Sequence, residues 1–309
     1  MAGELWIAHA GLTTGYLDQP ELNAERFVDH TARSDGLLAP ADLVADAAAA
    51  GVRTLAIADH DTLAGYREAV AAGAPPLPAG IEVIPAVEIN ATARDIPDLP
   101  DGELHLVGLG VDPASDALEA LLVAQREARR RRFEAMIERL REIDLPVDAA
   151  LDELRAFDRS DDESFGRPTI ARALVRAGHA STVSDAFARI VGHGGPGYVP
   201  RFGMGPREAI AAIAGAGGIP VLAHFYAAPS LPGVVAELVE LGLRGIETHH
   251  RSFGRTLVAT MSGVAARHRL LPSGGTDFHG DECTYAEAIA ETWVPGDVAD
   301  GLRAALGLD

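Results

Sequence analysis

Short apolar runs alternate with amphipathic stretches along most of this chain, and that alternation limits the possible folds more than any other feature. It predicts a helix over 40–50 and strands over 26–30, 54–58, 81–87, 104–111, 219–223, 245–248 and 270–273. Strands that alternate with helices are typical of α/β proteins. Aromatic residues make up only 5% of the chain, so the core must be built mainly from Ala, Val, Leu and Ile, which suits helices packed on a buried sheet.

The region 113–205 has a different character. It begins with a long charged segment, predicted to be helical over 118–143, and continues with shorter helical pieces rich in Gly and Pro. We interpret it as a helical insertion that covers the mouth of an α/β barrel formed by 26–112 and 206–309, with 1–25 as an N-terminal extension. The run Arg129–Arg132 is interpreted as a solvated helix face, although one of its members could reach the barrel mouth.

Charge and cysteine content exclude several classes of protein. The formal net charge of −19 argues against a broadly basic surface for long nucleic acid, which binds through clustered Lys and Arg. Cys283 is the only cysteine, which excludes an intramolecular disulfide and a cysteine-rich zinc site. Neither a secretion signal over 1–19 nor a bilayer-spanning apolar stretch is predicted, so the expected location is the cytoplasm, without membrane contact.

Histidine, aspartate and glutamate recur at the ends of the predicted strands. In α/β barrels the carboxyl ends of the strands meet at one mouth, where active sites are built. Imidazole and carboxylate ligands without thiolate suit Mn, Zn or Fe, and their number is enough for two or three ions. The residues expected to converge are His30, Asp35, His60, Glu88, His224, Asp277 and His279. His249 and His250 follow another strand, and one of them should face inward and the other outward.

Several segments in the correct order resemble the polymerase and histidinol phosphatase (PHP) family, specifically its nucleotide-directed phosphoesterases. The resemblance runs from about Arg26 to the C-terminus. The matching segments are HTARSDG at 30–36, ADHDTLAG at 58–65, PAVEI at 85–89, HLVG at 105–108, FGRP at 165–168, GGPGYVP at 194–200, LAH at 222–224 and GTDFHG at 275–280.

This resemblance implies a distorted (β/α)7 barrel that hydrolyses a phosphomonoester or phosphodiester of a nucleotide or short oligonucleotide. Two or three divalent ions (Mn, Zn or Fe) would activate water. The implied catalytic residues are Glu88, Asp277 and His60. The implied metal ligands are His30, Asp35, His60, Glu88, His105, His224, Asp277 and His279. Arg167 and Arg201 could grip the substrate phosphate through their planar guanidinium groups, with a structural or surface role as the alternative.

The chain departs from the family pattern at its first motif. Val28 stands where the family has its first histidine, and Arg26 stands where it has an aspartate. His9, in the N-terminal extension, could supply the missing ligand. This departure leaves open a catalytically impaired PHP-like binding or regulatory module as the first alternative to the phosphoesterase. The second alternative is a metal-dependent C–N hydrolase, since related barrels use similar ligands.

Overall fold

The computed structural model describes residues 31–34, 36–93, 102–154, 166–280, 283–292 and 294–308, together with the backbone of 25–29. Seven strands form the sheet. They are β1 (Glu25–Asp29), β2 (Thr54–Ile57), β3 (Glu82–Thr92), β4 (Glu103–Leu109), β5 (Ile219–Leu222), β6 (Gly245–His250) and β7 (Leu271–Gly275).

Helices connect and flank these strands. In chain order they are α1 (Pro40–Ala49), α2 (Ala64–Ala69), α3 (Asp116–Glu142), α4 (Asp148–Leu154), α5 (Arg167–Arg176), α6 (Val183–Ala186), a π-helical turn (Phe187–Val191), α7 (Pro206–Gly215), α8 (Pro232–Glu240), α9 (Arg255–His268), α10 (Tyr285–Glu291) and α11 (Gly296–Leu306). None of the helices in the described parts of the chain combines the length and the apolar character that crossing a membrane requires.

The strands are ordered in the sheet as they are in the chain, from β1 to β7. Neighbours are parallel except that β4 runs antiparallel to both β3 and β5. The first and last strands approach each other, so the sheet curls into a barrel-like shape. The result is a mixed α/β fold, as predicted, with one reversed strand that a uniform β/α repeat would not contain.

The helices after β4 have an apolar core of their own. Side chains from the second half of α3 pack against those of α4, α5 and the π-helical turn, and every member of this cluster lies between residues 133 and 191. The sheet packs separately against other helices, including α7, α8 and α9. Strand β2 is buried at all four positions, as expected for a strand covered on both faces.

The solvated interpretation of the run Arg129–Arg132 is wrong for two of its members. Arg130 and Arg131 are exposed, but Arg129 and Arg132 are buried, as is Arg126 one turn earlier. Residues three apart share one face of a helix, and this face of α3 is directed toward the sheet. The three arginines are buried because Asp61, Glu103 and Glu119 neutralise them there.

Candidate metal centre

Glu88 is fully buried in the middle of β3, and three imidazoles surround its carboxylate. His105 Nδ1 is hydrogen-bonded to Glu88 Oε1. His224 Nε2 lies 3.3 Å and His60 Nδ1 3.6 Å from the same oxygen. We call these four residues the Glu88 cluster.

Each member of the Glu88 cluster comes from a different segment of the sheet. His60 follows β2 and forms an isolated parallel bridge with Glu88, so the end of β2 lies directly beside the glutamate. His224 follows β5. His105 lies near the start of β4 and reaches the same place because β4 is antiparallel and pairs Val107 with Glu88. Strand reversal therefore brings a residue from the beginning of a strand to the ends of its neighbours.

The donor set of the Glu88 cluster fits a divalent metal ion. One ligand atom from each of His60, Glu88 and His105 can be chosen so that all three lie within 4.8 Å of one another. Two imidazoles and a carboxylate without thiolate are ligands suited to Zn, Mn or Fe. His30 and Asp35, the other predicted ligands from this side of the barrel, lie outside the described residues, as does His9.

Asp277 and His279 lie next to the Glu88 cluster. His279 Nδ1 lies 2.9 Å from the backbone carbonyl oxygen of Asp277, and the His279 and His60 ring centroids are 6.5 Å apart. His250 Nε2 lies 3.5 Å from Asp277 Oδ2, and its ring is 5.8 Å from that of His224. The structure thus brings together every predicted metal ligand that it describes: His60, Glu88, His105, His224, Asp277 and His279.

Three residues around this site adopt a left-handed backbone conformation. The φ angles are 54° at Asp61, 33° at His224 and 50° at Asp277. Such conformations cost a non-glycine residue on the order of 1 kcal/mol, and they cluster at functional sites where the surrounding structure enforces them. Here they turn the chain within four residues of the ends of β2, β5 and β7.

Burial and mutual attraction shape the electrostatics of the Glu88 cluster. Burial raises the pKa of Glu88, but the neighbouring His60 and His105 outweigh it and hold that pKa well below its ordinary value. Burial lowers the pKa of His224, but its hydrogen bond to Glu88 and the charge on Glu88 raise it to about 9. Glu88 is therefore ionised at neutral pH, which is the form in which a carboxylate binds metal.

Glu247 in β6 fixes the position of the His224 backbone. The His224 backbone N–H donates to Glu247 Oε2 at 2.5 Å, and Glu247 is 1% exposed. The register of β6 shifts between Glu247 and His249, which changes the alternation of faces along the strand. His250 consequently faces Asp277, whereas the His249 ring contacts Thr248 Oγ1 and its buried environment lowers the pKa of the imidazole.

A second charged group lies beside the Glu88 cluster. It consists of four guanidinium groups around two carboxylates, and we call Arg129, Arg132, Arg167 and Arg201 the arginine group. Arg201 Nε and Arg132 Nη1 lie 3.0 and 2.9 Å from opposite oxygens of Glu103, and Arg167 Nη2 lies 4.0 Å from it. Arg129 Nε donates to Asp61 Oδ2 at 2.7 Å.

The buried arginines and Glu103 alter one another's pKa values. Burial raises the pKa of Glu103, but Arg201, Arg132 and Arg167 overcome this effect and lower it to about 2. Burial and the proximity of Arg129 lower the pKa of Arg201 to about 10, so it keeps its charge at neutral pH. Arg132 Nη2 is buried and has no hydrogen-bond partner among the described residues. This concentration of positive charge suits an anionic ligand.

Asn90 joins the arginine group to the Glu88 cluster. Its side-chain nitrogen lies 2.6 Å from His105 Nε2, and its side-chain oxygen accepts from Arg129 Nη2 at 2.6 Å. Sequence reasoning did not single out Asn90 or Glu103. Residues two apart in a strand point to the same face, and this rule could have identified both. Asn90 follows Glu88 by two positions, and Glu103 precedes His105 by two.

No protein-family model matches the chain. The 5'-3' exoribonuclease Rnm of Salmonella typhimurium is 33% identical over 283 residues, covering 87% of this chain and 89% of the relative. The chain belongs to the Rnm family. A 3',5'-nucleoside bisphosphate phosphatase of Chromobacterium violaceum is 32% identical over 260 residues, covering 81% of this chain and 85% of the phosphatase.

Two solved structures are similar to this chain in both sequence and fold. A candidate metal-dependent phosphoesterase from Bifidobacterium adolescentis is 31% identical, with a TM-score of 0.73 and coverage of 91% of this chain and 96% of that one. A protein from C. violaceum described as an amidohydrolase, with bound sulfate, is 28% identical, with a TM-score of 0.76 and coverage of 90% and 96%. This member of the Rnm family is a hydrolase, and its histidine and glutamate cluster is suited to divalent metal.

Proposed function

We propose that this chain is a metal-dependent phosphoesterase that hydrolyses a phosphomonoester or phosphodiester of a nucleotide or short oligonucleotide. The observation that carries the proposal is the position of the Glu88 cluster beside the arginine group, joined through Asn90. One part suits a divalent metal and the other suits a phosphate. Two relatives support this substrate class, because one is named as an exoribonuclease and the other as a nucleoside bisphosphate phosphatase.

The same proposal includes the PHP family and its barrel. The curled sheet, in sequential order, is consistent with a distorted (β/α)7 barrel. We also propose that 113–205 forms the helical unit at the mouth. Two observations support this placement. The helices α3 and α5 have an apolar core of their own, and they also supply Arg129, Arg132 and Arg167 beside the Glu88 cluster.

In this mechanism two or three divalent ions would be held by His60, Glu88, His105, His224, Asp277 and His279, with His30 and Asp35 as further predicted ligands. When bound, the ions supply a water acidified for attack and positive charge for the phosphoryl oxygens. The chain itself keeps the imidazoles oriented. Glu88, anionic and fully buried, contacts three of them, and Glu247 holds the backbone of His224. We assign catalytic roles to Glu88, Asp277 and His60.

Substrate phosphate would bind to Arg167 and Arg201, with Arg132 as a third contact. Arg201 and Arg132 are fixed by Glu103, and Tyr198 lies against Arg132 and Arg167, with their guanidinium carbons 5.4 and 5.9 Å from its ring centroid. Planar guanidinium groups held in this way can bind phosphate with two parallel hydrogen bonds.

The first prediction tests the reaction itself. Purified protein supplied with Mn²⁺ should hydrolyse at least one ester in a panel of mononucleotides, nucleoside 3',5'-bisphosphates and p-nitrophenyl phosphates, and elemental analysis should find bound metal. His60→Ala should lower activity on the order of 10²-fold or more and reduce metal content, because it removes a donor from the Glu88 cluster. His268→Ala, at the end of α9 and outside the site, is the matched control. A panel of amide substrates tests the alternative C–N hydrolase activity, since one structural relative is described as an amidohydrolase.

The second prediction concerns Val28 in β1. The strand lies beside β2, whose end carries His60, and the PHP pattern has a histidine at this position. Val28→His should therefore raise the metal content per chain, measured by elemental analysis after equilibration with Mn²⁺ or Zn²⁺. Unchanged metal content would mean that Val28 is not at a metal position. Protein with neither bound metal nor activity on any ester would favour the binding module.

A further inference from the structure

Two aromatic side chains are exposed among the described residues, although aromatic residues are scarce in this protein. Phe202 is 66% exposed and Tyr226 is 59% exposed, whereas the other aromatic side chains of the described region are buried or half-buried. Both follow site residues closely. Phe202 comes directly after Arg201, and Tyr226 comes two residues after His224.

The backbone on either side of Phe202 is fixed by hydrogen bonds and an ion pair. Thr92 Oγ1, at the end of β3, donates to the carbonyl oxygens of Gly203 at 3.0 Å and Met204 at 3.1 Å. The Met204 N–H donates to Gln125 Oε1 at 2.7 Å. The preceding residue, Arg201, is 6% exposed and is held by Glu103. The fold therefore fixes the backbone around Phe202 and leaves most of its side chain exposed.

Tyr226 is held in a similar way. Its N–H donates to the His224 carbonyl at 2.9 Å, and the Ala228 N–H donates to the Phe225 carbonyl at 3.0 Å, so the residues after β5 form a tight turn. Phe225 is 7% exposed and packs in the main apolar core. Phe225 therefore anchors the turn in the core, whereas the neighbouring Tyr226 is exposed to solvent.

The two segments that carry these residues lie on either side of β4, the strand of His105. Phe202 belongs to the loop bound by the end of β3, Tyr226 follows the end of β5, and β4, which carries His105, lies between these strands. Two strand spacings separate the backbone segments by about 10 Å. A ligand bound at the Glu88 cluster would thus have a segment with an exposed aromatic residue on either side.

We propose that Phe202 and Tyr226 are specificity residues that stack on the nucleobases of the substrate, so that the site selects phosphate esters that carry a base. This inference rests on the proposed function and narrows its substrate class. Exposed aromatic rings bind nucleobases through their flat faces, largely without sequence preference. They also suit a protein of net charge −19, because stacking needs no basic surface along the nucleic-acid backbone.

The test compares adenosine 3',5'-bisphosphate with the corresponding ribose bisphosphate that lacks a base. We expect wild-type protein to favour the base-bearing ester about 50-fold or more in kcat/KM. Phe202→Ala and Tyr226→Ala should each reduce that preference about 5- to 10-fold, through KM, and the double variant should bring the ratio close to one. Phe202→Trp and Tyr226→Phe retain a ring and should retain the preference. Leu121→Ala, at a 39% exposed apolar position on α3, is the control.

Binding of adenosine 5'-phosphate to the same metal-loaded proteins, measured by calorimetry, provides a readout that does not depend on turnover. The alanine variants should bind it about 10-fold more weakly than wild type. Equal preference and equal affinity in wild type and the double variant would overturn the stacking role and leave the phosphoesterase intact. Hydrolysis of neither ester, with affinity for the nucleotide still dependent on the two rings, would instead overturn the phosphoesterase and support the base-binding site.

Discussion

Replacing Glu88 by Gln is expected to abolish hydrolysis, with a loss on the order of 10³-fold, equivalent to about 4 kcal/mol of transition-state stabilisation. The carboxylate is fully buried, and three imidazoles contact or lie close to its Oε1 atom. Gln preserves the shape but removes the negative charge, so it weakens both metal binding and the orientation of His60, His105 and His224. Initial rates with Mn²⁺ and metal content per chain measure the two effects.

Glu82→Gln is the matched control for this substitution. Glu82 begins the same strand, is exposed, and pairs with Arg303 at 3.0 Å. The same chemical change there should leave rate and metal content within about twofold of wild type, since surface ion pairs contribute little. A Glu88→Gln protein that is folded by circular dichroism and retains wild-type activity would contradict the assignment of Glu88 to the metal centre.

Replacing Glu103 by Gln is expected to lower the stability of the fold strongly. The Glu103 carboxylate is buried and surrounded by Arg132, Arg167 and Arg201. Glu103→Gln leaves these guanidinium groups without their shared counter-charge, and removing one partner of a buried ion pair costs about 3–5 kcal/mol. The free energy of unfolding from urea titration should fall by that amount. Glu138→Gln, which removes an exposed partner of Arg141 on α3, should change it by less than about 1 kcal/mol.

The pH dependence of the Glu103 effect has a definite sign. The pKa of Glu103 is lowered to about 2 in the folded protein from an ordinary value of 4.5. A group whose pKa is lower in the folded state stabilises the fold above its unfolded pKa and loses that contribution as the pH falls toward the folded value. The difference in unfolding free energy between wild type and Glu103→Gln should therefore be full at pH 7 and shrink between pH 4.5 and 2.

Sulfate provides an independent check on the arginine group. Glu103→Gln should be stabilised by sodium sulfate more than Glu138→Gln is, because an anion can replace the missing carboxylate. The comparison between variants removes the general stabilising effect of sulfate on all proteins. Equal stabilisation of both variants would indicate that the arginine group is closed to anions and would weaken its assignment to substrate phosphate.

The sequence by itself indicated the α/β class and the strand ends that carry chemistry. Short apolar runs followed by His60, His224 and Asp277 identify these positions because a buried strand and its polar terminus leave a local pattern. Boundaries were less well determined. The third strand was predicted to stop before Glu88, but β3 continues to Thr92, because Asn90 and Thr92 find partners that only the folded chain provides.

Long-range pairing decided the remainder of the site. His105 lies near the start of its strand, and only the antiparallel pairing of β4 with β3 brings it against Glu88. The burial of Arg129 and Arg132 depends on Asp61 and Glu103, which are far away in the sequence. Sequence patterns report the local preferences of the backbone and the periodicity of apolar side chains, which is why the strand ends could be identified. The direction of a neighbouring strand and the counter-charge of a buried arginine arise from contacts between distant segments, so only the tertiary structure could determine them.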